Sequence, residues 1–119
     1  MFRDTDGLRG TFKLTKGSIV SIDSNRILYF ETSVDTKHTV VVYTANERLE
    51  FRGSLSHIIA EMDKKRFYQC GRSLVLNLEH ITALDIVKLQ AVLADTLIVD
   101  IPAKYAPKLV KRINDYKGR

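Results

Sequence analysis

A chain of 119 residues, 45% hydrophobic and 28% charged, is one domain's worth, which excludes wholesale disorder and leaves enough apolar material for a core without staples. Its apolar runs last only a few residues, as at 40–43, and no cationic start leads into an apolar stretch, so neither a membrane-spanning helix nor a signal peptide is expected. The net charge of +5 comes almost wholly from the second half: residues 1–60 hold eight Lys/Arg against seven Asp/Glu, residues 61–119 eleven against seven.

In chain order, residues 1–9 are polar and read as a linker or the cut edge of an excised segment, disordered by expectation. Weak alternation predicts strands over 11–15 and 18–22, separated by a Lys16-Gly17 turn. Asp23, Ser24 and Asn25 break the second strand, because their side chains compete for local backbone. The β-branched and aromatic stretches 27–32 and 38–43 predict two firm strands around a polar loop at 33–37, and 48–51 pairs back as a hairpin arm. Ser54 is positioned to cap a helix over 55–63, with Leu55, Ile58, Ile59 and Met62 at helical spacing. The cations Lys64, Lys65 and Arg66 would suit that helix's negative end.

Residues 67–84 form the organising stretch: two aromatics, a polar break at 69–73, then the apolar Leu74, Val75 and Leu76 before Asn77. A single turn is predicted over 78–80, strands over 81–86, 89–93 and 96–101, and a C-terminal helix over 103–116 with Pro107 in its first turn, where a missing N–H does no harm. The tail 117–119 follows. The sum is a mostly β domain of several small antiparallel sheets, with one short internal helix and a C-terminal helix.

From Lys64 to Arg72 there are four basic residues and no acid. A basic turn between hydrophobic anchors suits a polyanion better than a catalytic cleft. The histidines His38, His57 and His80 are scattered, and there is no His-x-x-x-His pair, Cys-x-x-Cys, phosphate loop or Gly-x-Ser-x-Gly elbow, so neither an enzyme nor a cofactor is expected. Cys70 is the one cysteine. No intrachain disulfide can form, which fits a reducing cytoplasm. It reads as a small, partly buried filler, with oxidation promoted by Arg66 and Arg72 as the sharper alternative.

Three blocks of residues together resemble the LytTR family of DNA-binding domains: Ile27, Tyr29, Phe30 and Glu31; then Phe67, Arg72, Ser73, Val75, Asn77 and Ile81; then Ile101, Lys104, Tyr105 and Leu109. The resemblance spans about 11–113. The second block is the specific one. Such domains are usually output halves of bacterial response regulators controlling quorum sensing, virulence factors and bacteriocins. The resemblance implies an elongated β domain over 10–116 that reads double-stranded DNA with loops 33–38, 69–73 and 102–105. It implies two copies on promoter direct repeats, a possible homodimer there, and a receiver domain in a longer parent protein. This chain departs from the family at Pro102-Ala103, where Ser-Arg is frequent, and at Gly71, where His or Arg is frequent.

On this reading Arg72 offers a bidentate fork to guanine, worth roughly 1–3 kcal/mol of discrimination. Lys37 and His38 reach bases or phosphates from the first loop, and Lys104 does so from the third. Gln69 and Ser73 belong to the second loop. Lys65 and Arg66, with Lys64, contact phosphates. Asn77 and Ser73 hold the turn that aims Arg72. Lys108, Lys111 and Arg112 read as a solvated helix face. Two rivals stand beside this: an RNA or single-strand binder using exposed aromatics, and a basic module for an acidic protein partner. Tyr29, Phe30, Tyr43, Phe51 and Phe67 fall mainly at predicted core positions, which disfavours the first.

Overall fold

The computed structural model describes residues 9–13 (backbone), 17 and 19–118. The expected linker therefore lies, save Arg9, outside the described residues, as do positions 14–16 of the first strand and turn and Arg119 of the tail.

Among the described residues ten short strands and two α-helices follow one another. Strands β1 (Arg9–Lys13) and β2 (Ile19–Asp23) pair as an antiparallel hairpin. Strands β3 (Tyr29–Thr32), β4 (Thr39–Tyr43), β5 (Arg48–Arg52), β6 (Phe67–Gln69) and β7 (Leu74–Asn77) form the central antiparallel sheet, in the order β5-β4-β3-β7-β6. Strands β8 (Ile81–Asp85), β9 (Gln90–Leu93) and β10 (Leu97–Asp100) form a third sheet. Helix α1 is Leu55–Glu61 and α2 is Ala106–Lys117.

The alternation within the central strands explains how the sheet is covered on both sides. Phe30, Val40, Val42, Phe51, Phe67 and Val75 face α1 and bury Leu55, Ile58 and Met62. Tyr29, Tyr68, Leu74 and Leu76 face the other way and share a core with Leu93, Val99, Ile101 and Leu109. Each such large apolar side chain contributes about 1.5–3 kcal/mol on full burial. Strand pairing carries Arg48, Tyr43, Tyr29, Leu76 and Tyr68 across in one row, and Glu50, Val41, Glu31 and Leu74 in the next.

The mostly β class, the small antiparallel sheets and both helices stand as expected, but the domain is compact and not elongated. Its radius of gyration is 13.7 Å and its extents are 40 × 33 × 25 Å, against about 13–14 Å for a compact chain of this size. The reason is that the third sheet and α2 fold back onto the central sheet and share its core.

Two local differences bear on charge. Helix α1 stops at Glu61, with Met62 already extended at φ −92° and ψ 158°. The cations Lys64, Lys65 and Arg66 therefore sit in a separate turn, where the Asp63 carbonyl accepts the N–H groups of Arg66 and Phe67. The helix-end explanation of that cluster falls away. Phe67 and Tyr68 are not just anchors but most of a strand, β6, which runs between that turn and Arg72.

Candidate nucleic-acid interface

Strand direction decides which loops meet. Strand β3 ends at Thr32, paired with Val40, and β7 starts at Leu74, opposite Glu31. Strand β6 ends at Gln69 opposite Val75, and β5 ends at Arg52 opposite Thr39. Loops 33–38 and 70–73 and the β5–α1 connection thus all leave the same end of the central sheet. Backbone bonds tie them together: Thr32 N–H donates to the Ser73 carbonyl at 2.9 Å, Ser33 N–H to Thr39 at 2.9 Å, and Gly53 N–H to His38 at 2.9 Å.

The third loop reaches the same end from β10. Pro102 leads into a single turn, Ala103–Tyr105, which continues into α2 with Pro107 in its first turn. The Tyr105 ring lies against Gly71, where a methyl group would stand 3.3 Å from Tyr105 Cε2. Gly71 has φ +91°, a conformation side chains disfavour. The departure from the family's frequent His or Arg therefore has a backbone cause here. Between the second and third loops lies a cleft of about 510 Å³, lined by Glu31, Arg72, Ser73, Asp100, Pro102 and Tyr105 among others.

The loops are shaped by their own polar side chains. Ser33 Oγ accepts the N–H groups of Asp35 and Thr36, and Thr39 Oγ1 donates to the Lys37 carbonyl. His38 is held at φ 54°. Lys37, His38, Arg72, Ser73 and Lys104 are all exposed. Lys104 Nζ lies 5.8 Å from the Tyr105 ring centre, a modest cation–π contact at an exposed site. Acids are present too: Asp35 in the first loop and Asp100 at the cleft, the latter accepting from Gln90 at 3.3 Å. Gln69 is half-buried at the end of β6.

Lys65 and Arg66 are elsewhere. They precede β6 at the opposite end of the sheet, where Phe67 pairs with Asn77. Arg66 is turned inward: Nη1 donates to Asn25 Oδ1 at 2.8 Å and Nη2 to Ser24 Oγ at 2.7 Å, with its guanidinium 5.1 Å from the Phe67 ring centre. Lys65 is exposed beside a second cleft that includes Asp63, Lys64, Arg112 and Asp115. Arg112 donates to the Lys64 carbonyl and lies 5.1 Å from the Tyr68 ring centre, so it is a packed residue and not a solvated one.

Asn77 is also at that far end. It is fully buried, Nδ2 donates to the Ile27 carbonyl at 2.8 Å, and Oδ1 accepts from Glu79 N–H at 3.0 Å. It caps the turn Leu78–His80 and does not hold the Arg72 turn. Ser73 does tie that turn, through its carbonyl. Cys70 is buried, and burial pushes its thiol up to about 11, so it stays protonated at neutral pH and the oxidisable-thiolate alternative fails.

One residue at the loop end escaped the sequence. Arg52 is exposed at the close of β5, opposite Thr39. Strand β5 runs one residue beyond the expected arm 48–51, and strand register brings Arg52 beside the first loop.

Among the described residues no group of three or more His, Cys, Asp or Glu could hold a metal ion, and no helix is long and apolar enough to cross a membrane. Tyr29, Phe30, Phe51 and Phe67 are buried, and Tyr43 is half-buried with its ring stacked on Tyr29 at 4.2 Å.

A compact β domain with a core on each sheet face and cations on tied loops at one end is built as a binding module. Residues 17–114 match the model of the LytTR DNA-binding domain, and the chain belongs to that family, which is not enzymatic. Among solved structures it is similar to the LytTr DNA-binding domain of a Bacillus cereus protein named as a methyl-accepting/DNA response regulator. The two share 21% identity and a TM-score of 0.74 over 91% of this chain and 98% of the other, a likeness of fold. No curated protein sequence matches it significantly.

Proposed function

We propose that this LytTR domain binds double-stranded DNA sequence-specifically, as the output domain of a cytoplasmic bacterial response regulator. Loops 33–38, 70–73 and 102–105 read or grip the duplex. Arg72 is the principal base reader, Lys37, His38 and Lys104 contact bases or phosphates, and Ser73 and Gln69 support the second loop. The observation that carries this reading is the convergence of the three loops on one sheet end, joined by the Thr32–Ser73 bond and the Gly71–Tyr105 contact. Phosphate contacts supply affinity and loop side chains specificity. A single small domain gains useful affinity from two copies on direct repeats, as a homodimer on DNA or brought together by a receiver domain in a longer parent protein. The association with quorum sensing belongs to the same proposal.

Lys65 and Arg66 are not part of the proposed contact surface. A single-strand binder needs exposed adjacent aromatics for stacking, and the candidates are buried or half-buried.

The test is fluorescence anisotropy with a pool-selected duplex and a scrambled control at two salt concentrations. The selected duplex should bind more tightly, and affinity should fall with salt. Arg72→Ala should remove most of the preference, by roughly 1–3 kcal/mol, with the melting temperature unchanged. Equal binding to both duplexes by the unaltered domain would leave only a basic surface. Competition by an acidic protein, and not by duplex DNA, would favour an interaction module.

A further inference from the structure

We propose that Arg52 is a further contact to the DNA, gripping a phosphate beside the first loop; this rests on the reading of the domain as a duplex binder. The register of β5 against β4 places Arg52 directly opposite Thr39, the first residue after loop 33–38. The next backbone group, Gly53 N–H, donates to the His38 carbonyl at 2.9 Å, so the position of Arg52 relative to Lys37 and His38 is fixed by main chain and not by a mobile tip. Thr39 is buried and its hydroxyl holds the Lys37 carbonyl at 3.1 Å, which stiffens the same corner.

Arg26, Arg48 and Arg66 are engaged, and among the described residues Arg52 is not. On β5, Arg48 pairs with Glu50 at 3.0 Å and donates to Tyr43 Oη at 3.3 Å. Arg26 lies 3.8 Å from Glu47. Arg66 is committed to Ser24 and Asn25. Among the described residues Arg52 has neither a hydrogen bond nor an ion pair, and it is exposed. Strand alternation puts it on the sheet face shared with Glu31 and Leu74, the face that carries the cleft and the third loop. A rigidly based, unpaired guanidinium at the margin of the base-reading loops is suited to fixing the duplex in register, which is the work of phosphate contacts.

The experiment compares the unaltered domain, Arg52→Ala and Arg52→Lys, each on the selected and the scrambled duplex, over a salt series. Loss of one phosphate contact should flatten the slope of log affinity against log salt by about 0.9 and, on that slope alone, weaken binding roughly eight-fold at 0.1 M salt. The loss should be the same on both duplexes, and Arg52→Lys should restore the slope because it keeps the charge. A purely structural role would shift the melting temperature and leave the slope alone. If the unaltered domain binds and Arg52→Ala leaves affinity and slope unchanged, Arg52 makes no contact and this inference falls alone. A loss confined to the selected duplex would also overturn it, since Arg52 would then read a base. If the unaltered domain fails on duplex DNA altogether, the reading beneath falls with it.

Discussion

Gly71 shows how much one residue carries. It takes a backbone conformation that side chains disfavour and lies against Tyr105, so it lets the second and third loops meet. Gly71→Ala should cost about 1–2 kcal/mol, from positive-φ strain and the tight contact together. In a domain of this size that lowers the melting temperature by several degrees, which thermal circular dichroism would read. No loss of stability would mean that the loop relaxes freely and that the cleft is not fixed. The sequence exposes Gly71 only as a departure from its relatives. The cause is not legible there, because the Tyr105 ring arrives from 34 residues further along.

At the scale of elements, Asn77 joins three of them. It closes β7, caps the turn that follows, and holds the carbonyl at Ile27 just before β3. Asn77→Ala would leave a buried carbonyl without its partner and remove a cap, at a cost of about 2–4 kcal/mol. A lowered urea midpoint would register this, while specific DNA affinity of the folded protein should hold, since Asn77 lies at the end of β7 away from Arg72. A loss of affinity at unchanged stability would return Asn77 to the Arg72 turn. That an Asn among apolar residues must be hydrogen-bonded could be read from the sequence. Which backbone it serves could not, because its partner at Ile27 is fifty residues away.

At the scale of the molecule, charge adjacent in sequence is divided in space. The run from Lys64 to Arg72 looks continuous, but β6 carries the chain from one end of the sheet to the other. Strand β7 alone spans roughly 13 Å, more than the Debye length of about 8 Å at physiological salt. Lys64→Ala with Lys65→Ala should therefore leave the affinity and salt slope for the selected duplex essentially unchanged, where Arg72→Ala lowers the affinity. A drop of the slope by one or two in the double variant would show that the far end also meets DNA. The same division explains why Arg112 and Arg66 count little toward a basic surface: both are engaged in packing.

The sequence by itself determined most of the elements, but not β6, whose two aromatics read only as anchors. Alternation in 27–32 and 38–43, helical spacing after Ser54 and turn residues between them are local signals, and the strands and helices follow within one or two residues at most ends. It also determined the family, because the block from Phe67 to Ile81 is a local pattern. Tertiary structure alone decided which loops share an end, that Arg52 stands beside His38, that Arg66 turns inward, and that the third sheet folds back to make the domain compact. Those outcomes depend on strand register and on core burial between distant segments. Hydrogen bonding and apolar contact set them across the fold, and neighbouring residues carry no trace of them.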